Sequence, residues 1–143
     1  MIGECLTSHV ESLVLQESQA YMADMVDQGY ADYLVGNTDA YTIRAPGGRL
    51  LACVGLGEMW AGRGYVWMLV DKDAGAHMVT LVKDLISLAD RYAEKYPRIE
   101  CAVDEGFDAG HRLVRMCGFE LETLEPMKKY FGEISSYLYA RVR

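Results

Sequence analysis

The stretch from Tyr65 to Val103 constrains the fold more than any other part of this chain. Tyr65-Val66-Trp67-Met68-Leu69-Val70 is apolar at every position, the pattern of a strand covered on both faces of a sheet. Asp71-Lys72-Asp73-Ala74-Gly75 reads as a loop. From Ala76 to Tyr96, Met78, Leu81, Val82, Leu85, Leu88, Ala89, Tyr92, Ala93 and Tyr96 fall on one stripe at three-and-four spacing, and Lys83, Asp84, Asp90, Arg91, Glu94 and Lys95 take the other faces. That spacing predicts an amphipathic helix of about 20 residues. Pro97 ends it, and Arg98–Val103 is a second, shorter strand. Two strands joined by such a helix pair in parallel through a right-handed crossover.

The rest of the chain supplies the flanks. Val10, Leu13, Val14, Tyr21, Met22, Met25 and Val26 predict helix over 8–29, closed by Gly29, with a break near Gln16–Ser18 that splits it into two short helices. Ala31–Val35 is a further helical turn. Ala40–Ala45 and Arg49–Gly55 flank Pro46-Gly47-Gly48, a hairpin signal. The second of these strands continues through Leu56–Trp60, and Ala61-Gly62-Arg63-Gly64 turns into the strand at Tyr65. Asp108–Met116 reads as a helix ended by Gly118, and Phe119–Leu124 and Glu133–Arg141 as two closing strands. The fold class is therefore α/β. A mixed, mostly antiparallel sheet carries a central parallel strand–helix–strand unit, with helices on both faces.

Composition sets the outer bounds. At 143 residues and 51% hydrophobic, the chain suits one domain, residues 1–143, with a packed core. Its apolar runs are too short to span a bilayer, and Met1-Ile2-Gly3-Glu4-Cys5 lacks the basic and apolar regions of a secretory signal. The expectation is a cytoplasmic protein without a membrane span. The formal net charge of -7 arises in residues 1–43, which hold Glu4, Glu11, Glu17, Asp24, Asp27, Asp32 and Asp39 and no Lys or Arg. A chain without a basic stripe is a poor nucleic-acid binder. The acidic third is either a surface that attracts cationic substrates or partners, or a solvated face serving solubility. Tyr and Met along 1–35 form either a homodimer face or core. Cys5, Cys53, Cys101 and Cys117 are scattered, as are His9, His77 and His111, so no metal-ligand spacing or disulfide framework is visible.

The order of elements resembles the GNAT superfamily of N-acetyltransferases across nearly the whole chain. The resemblance is carried by Tyr65–Val70 leading through a Gly-containing loop into the long helix, by Ile99–Val103 leading into His111–Met116, and by Cys117-Gly118-Phe119-Glu120 after that helix. A narrower similarity rests on Trp67-Met68-Leu69-Val70 before a loop without the usual basic residue. It is to GNAT-like proteins of T7-like tailed phages, the internal virion protein A group, and implies a location in the host cytoplasm.

The resemblance implies a site. In the family, strands like Tyr65–Val70 and Arg98–Val103 part at their C-terminal ends. The pantetheine arm of acetyl-CoA then pairs with the first as an added strand. Its pyrophosphate sits on free amides at a helix N-terminus. Carried over, this gives Leu69, Val70, Asp71, Gly75, Ala76 and His77 as cofactor-binding positions. Two departures stand out. The family loop usually reads Arg/Gln-x-x-Gly-x-Gly/Ala, whereas Asp71-Lys72-Asp73-Ala74-Gly75-Ala76-His77 keeps one Gly and adds two carboxylates. A carboxylate a few ångströms from phosphate costs about 1–4 kcal/mol before screening. Many members also carry a Tyr acid four residues before the Gly-Phe step, where Val114 stands here.

His111, one turn before Arg115, is a substitute acid or a histidine satisfied near its helix start. Glu58 is a general base facing a cleft or a surface residue at a sheet end. The expected function is transfer of an acetyl group from acetyl-CoA to an amine on a small molecule or protein. The alternative is a catalytically degenerate GNAT-fold phage protein acting in virion assembly or binding a host protein. A Gly-x-Ser-x-Gly elbow and a Walker loop are absent. Gly55-Leu56-Gly57 lacks the third glycine and following helix of a dinucleotide motif.

Overall fold

The computed structural model describes residues 1–25 and 29–143, with Asp24 and Met25 as backbone only. Val26 and Asp27, assigned above to a helix stripe and an acidic face, lie outside the described residues. The elements in chain order are β1 (Ile2–Glu4), α1 (Thr7–Ser12), α2 (Met22–Met25), α3 (Ala31–Asn37), β2 (Asp39–Arg44), β3 (Leu50–Trp60), β4 (Arg63–Val70), α4 (Met78–Ala93), β5 (Arg98–Asp104), α5 (Asp108–Met116), β6 (Glu120–Leu121), β7 (Met127–Phe131) and β8 (Ile134–Val142). Short 3-10 turns occupy Glu17–Gln19 and Ala74–His77. The strands form an eight-stranded sheet in the order β1-β2-β3-β4-β5-β8-β6, with β7 on β8. The β4–β5 pair is parallel, and the other described ladders are antiparallel. This is the expected fold class.

The chain groups into two compact units. The first comprises Met1–Gly57 and Val66–Asp84, the second Glu58–Tyr65 and Leu85–Arg143. In the first, β2 and β3 form the hairpin expected around Pro46-Gly47-Gly48, and Gly48 takes the left-handed φ of +94° that the tight turn requires. Cys5, Val10, Ala31, Leu34, Cys53 and Leu69 make its buried cluster, with Leu13, Leu15, Met22 and Trp67 packed against it. In the second unit, β5 pairs with β8 along its whole length, from Arg98↔Val142 to Asp104↔Ser136. Ile99, Cys101, Val103, Leu113, Phe119 and Tyr139 are buried there. Helix α5 ends where expected, and Gly118 closes it at φ +88°.

Three expectations need correction. Residues 8–29 do not form one helix, nor two helices meeting at Gln16–Ser18: α1 stops at Ser12, and Leu15 forms an antiparallel bridge with Asp71. Hydrogen bonds to the end of β4 hold this backbone extended, a tertiary demand that overrides local periodicity. Phe119–Leu124 shortens to the two residues of β6. Strands β1 and β7 were not anticipated. The first is three residues long and the second contains Lys128 and Lys129, so neither carries an apolar alternation. Among the described residues, no helix is long and apolar enough to cross a membrane, and no group of three or more His, Cys, Asp or Glu could hold a metal ion.

Candidate active site

The polar groups of β4 fall on two edges by simple alternation. Asp71 N–H donates to Leu51 O at 2.8 Å, so odd-numbered residues face β3. Gly62 O accepts from Arg98 N–H at 3.3 Å, so even-numbered residues face the edge on which β5 pairs. The β4–β5 ladder covers Arg63, Gly64 and Tyr65 against Arg98, Ile99 and Glu100. Beyond it, the backbone of Met68 and Val70 continues the same edge of β4 within the first unit, and Lys72 follows just past the strand.

Residues 14–19 of the same unit occupy this edge. Gln19 Nε2 donates to Met68 O at 3.0 Å, and Val70 N–H donates to Gln19 Oε1 at 3.0 Å. The two bonds fix the orientation of the carboxamide, since only its nitrogen can donate and only its oxygen can accept here. Gln16 N–H reaches Val70 O at 3.4 Å, and Lys72 N–H donates to Val14 O at 2.8 Å. Gln19 is 9% exposed, buried deeply enough that an unpaired carboxamide would be costly. Residues Val14–Gln16 thus behave as a short added strand, and Gln19 supplies the next amide by its side chain.

The loop after β4 is organised by Asp71, whose carboxylate is also buried. It accepts from Asp73 N–H and Arg49 Nη2, each at 3.1 Å, and from Val14 N–H at 3.4 Å. Arg49 also pairs with Asp73 at 2.8 Å. Burial alone would raise the Asp71 pKa, but the Asp73 amide, the Arg49 guanidinium and the Val14 amide together hold it below the usual carboxylate range. Two carboxylates therefore face one engaged guanidinium, with exposed Lys72 alongside. Gly75 and Ala76 are exposed and His77 half-buried at the start of the turn into α4. A Cβ at Gly75 would meet nothing within 4 Å, so space remains around that backbone.

The remaining aromatic and ionisable groups are firmly placed. The Trp67 ring lies over Gly55, where an added Cβ would sit 2.2 Å from its Nε1, and that nitrogen donates to Thr38 Oγ1 at 2.9 Å. Glu58 is an exposed carboxylate near the end of β3. His111 Nδ1 lies 2.8 Å from Tyr139 Oη, and its Nε2 lies 3.0 Å from Asp104 O and 3.2 Å from Glu105 O. Carbonyl oxygens only accept, so Nε2 carries the proton and Nδ1 accepts from Tyr139 in the neutral ring. Burial pushes the Cys101 thiol up to about 12 and the Cys117 thiol up to about 11, so both stay protonated at neutral pH.

The structure brings Leu69, Val70, Asp71, Gly75, Ala76 and His77 together in the first unit, whereas Glu58 and His111 belong to the second. Sequence reasoning missed Gln19, Gln16 and Arg49. Gln19 falls within the helical span expected over 8–29 but outside its apolar stripe. Arg49 lies 22 positions before the aspartate that it neutralises, and no local pattern links the two.

The fold places the chain among known architectures. No protein-family model matches the sequence, and no curated protein matches it. Solved structures do match. A GNAT-family acetyltransferase from Bacillus anthracis superposes with a TM-score of 0.75 at 11% identity, over 99% of this chain and 93% of that one. A ribosomal-protein alpha-N-acetyltransferase in complex with coenzyme A gives a TM-score of 0.68 at 17% identity, over 99% and 92%. A spermidine N-acetyltransferase chimera from Vibrio cholerae and hSSAT gives 0.65 at 14%, over 99% and 95%. The chain has the GNAT fold.

Proposed function

We propose that this protein is an N-acyltransferase that moves an acetyl group from acetyl-CoA to an amine. The reading rests on one observation: β4 continues past its pairing with β5 and presents Met68 O and Val70 N–H to a carboxamide. The donor and acceptor set fits an amide-bearing, extended arm, because an amide of the chain already satisfies it. The phosphate end fits less well, since Asp71 and Asp73 take up the Arg49 guanidinium. Gly75, Ala76 and His77 would hold the pyrophosphate through backbone amides.

Bound there, acetyl-CoA would supply a thioester whose acetyl carbon forms an amide with the attacking amine and releases a thiol. Val70 N–H and Met68 O would orient the arm. An ammonium acceptor must lose a proton before attack, and the base and acid carried over from the resemblance are Glu58 and His111, both in the second unit. His111 would have to give up a contact to move a proton, because both ring nitrogens are engaged. The acidic residues of the first third would favour a cationic amine, on a polyamine, a Lys side chain or a protein N-terminus.

Titration calorimetry with acetyl-CoA tests the reading. A Kd near 100 μM or tighter, about 5.5 kcal/mol, supports it, and silence at millimolar ligand ends it. A second reading, a scaffold that transfers nothing and instead binds another protein in an assembly, is favoured by the same closed edge and by Val114 at the acid position.

A further inference from the structure

We infer that Gln19 is an internal competitor for the acyl carrier: its carboxamide occupies the position on β4 that the ligand's amide must take, so the protein binds acyl-CoA only after this side chain leaves. The inference rests on the acyltransferase reading above and adds a control element to it. Gln19 makes with one primary carboxamide the two bonds that successive amides of an extended arm would make, one as donor to Met68 O and one as acceptor from Val70 N–H, each at 3.0 Å. A ligand amide and the Gln19 amide cannot share them, because Val70 has a single N–H.

The competitor is held at the right distance by its neighbours. Leu13 and Leu15 pack against the cluster around Leu69 and Cys53, and Leu15 bridges Asp71. The segment therefore stays docked while one flexible side chain can rotate away. Opening needs no change in the β2–β3 hairpin or in α4. The exchange is amide for amide, so it is close to neutral in hydrogen-bond number. Ligand affinity is lowered by whatever free energy Gln19 gains in place, as for any closed state that must open first.

The test is titration of the wild type, Gln19→Ala and Gln19→Met with acetyl-CoA, and with pantetheine as a phosphate-free probe. Amide hydrogen exchange at Val70 is followed in parallel. Gln19→Met keeps the volume and removes both hydrogen-bonding groups, which covers the case in which the smaller variant fails to fold. The expected result is affinity about tenfold tighter in the variants for both ligands, the worth of one to two lost internal hydrogen bonds. Exchange at Val70 is expected to be faster in the free variants and slowed again by ligand. Equal, measurable affinity in all three proteins would overturn the competitor and leave the acyltransferase reading standing. Binding by none of them at millimolar ligand would remove both.

Discussion

The end of β4 and the length of β5 meet the same demand in opposite ways. Both carry backbone groups that are costly to leave unpaired once buried. Strand β5 meets it with a continuous ladder to β8 over Arg98–Asp104, pinned by a buried charge cluster. The end of β4 meets it with one carboxamide and a short bridge. A ladder can be released only by unzipping a strand, whereas a side chain can rotate out alone. The difference separates the part of the molecule that maintains the fold from the part that can exchange partners.

The largest effect is expected at the permanent end. Glu100 is 4% exposed and receives Arg63 Nε at 2.8 Å, Arg63 Nη2 at 2.9 Å and Arg98 Nε at 2.7 Å; Arg98 also pairs with Glu122. Burial would raise the Glu100 pKa, but the two guanidinium groups hold it below the usual range. Glu100→Gln should lower stability by about 2–3 kcal/mol in urea unfolding, less than for a fully buried pair because the Arg side chains are about a third exposed. A loss below about 0.5 kcal/mol would mean that the cluster does not pin β5, and the contrast with β4 would fail.

Gly55→Ala examines the other strand bordering β4. Its Cβ would meet the Trp67 indole at 2.2 Å, forcing the ring off β3 and breaking its bond to Thr38. Overpacking of this kind costs about 1–3 kcal/mol, and tryptophan fluorescence should shift with it. Unchanged stability and emission would show that Trp67 is free to move, and with it the strand that carries Val70.

The permanent parts were also the legible ones. The crossover from β4 through α4 to β5 was visible because its apolar pattern and its stops coincide. The span of α5 was read to the residue, since Asp108 and Gly118 bracket it. The exchangeable part was not legible. Leu13 and Val14 continue a helical stripe in sequence, yet Leu13 is already extended and Val14 O accepts from Lys72 N–H just past β4. Periodicity reports which side chains are apolar, and it cannot report that the Val14 backbone has found a partner 57 residues away. Gln19 was invisible for the same reason: its role comes from Met68 and Val70, not from its neighbours. The loop residues Asp71 and Asp73 were seen as a charge problem, and Arg49, the group that answers it, was not.

Asp71 links the loop to the bridge at the exchangeable end, and its protonation should loosen both. Its pKa is depressed in the fold, so its contribution is fully present above the unfolded value near 3.9 and disappears as pH falls through the lower folded value. Asp71→Asn should cost about 1–2 kcal/mol at pH 7 and leave a shallower loss of stability below about pH 4. An acid limb identical to that of the wild type would show that another carboxylate governs it.

The smallest effect on the fold, and the sharpest on the acceptor, is expected from the acidic first third. Asp32 accepts from Thr7 Oγ1 at 2.8 Å, an exposed contact between α1 and α3. Asp32→Asn alone should change stability by no more than about 0.5 kcal/mol, as for most surface positions; the activity test replaces Asp24, Asp27 and Asp32 together with Asn. If these charges gather a cationic amine, KM for spermidine should rise several-fold at low salt. That rise should vanish near 1 M salt, where the screening length is about 3 Å. A rise independent of salt would indicate a direct contact rather than a field. An unchanged KM at low salt would return these residues to the role of a solvated surface, and selection of the amine would then have to come from groups that touch it.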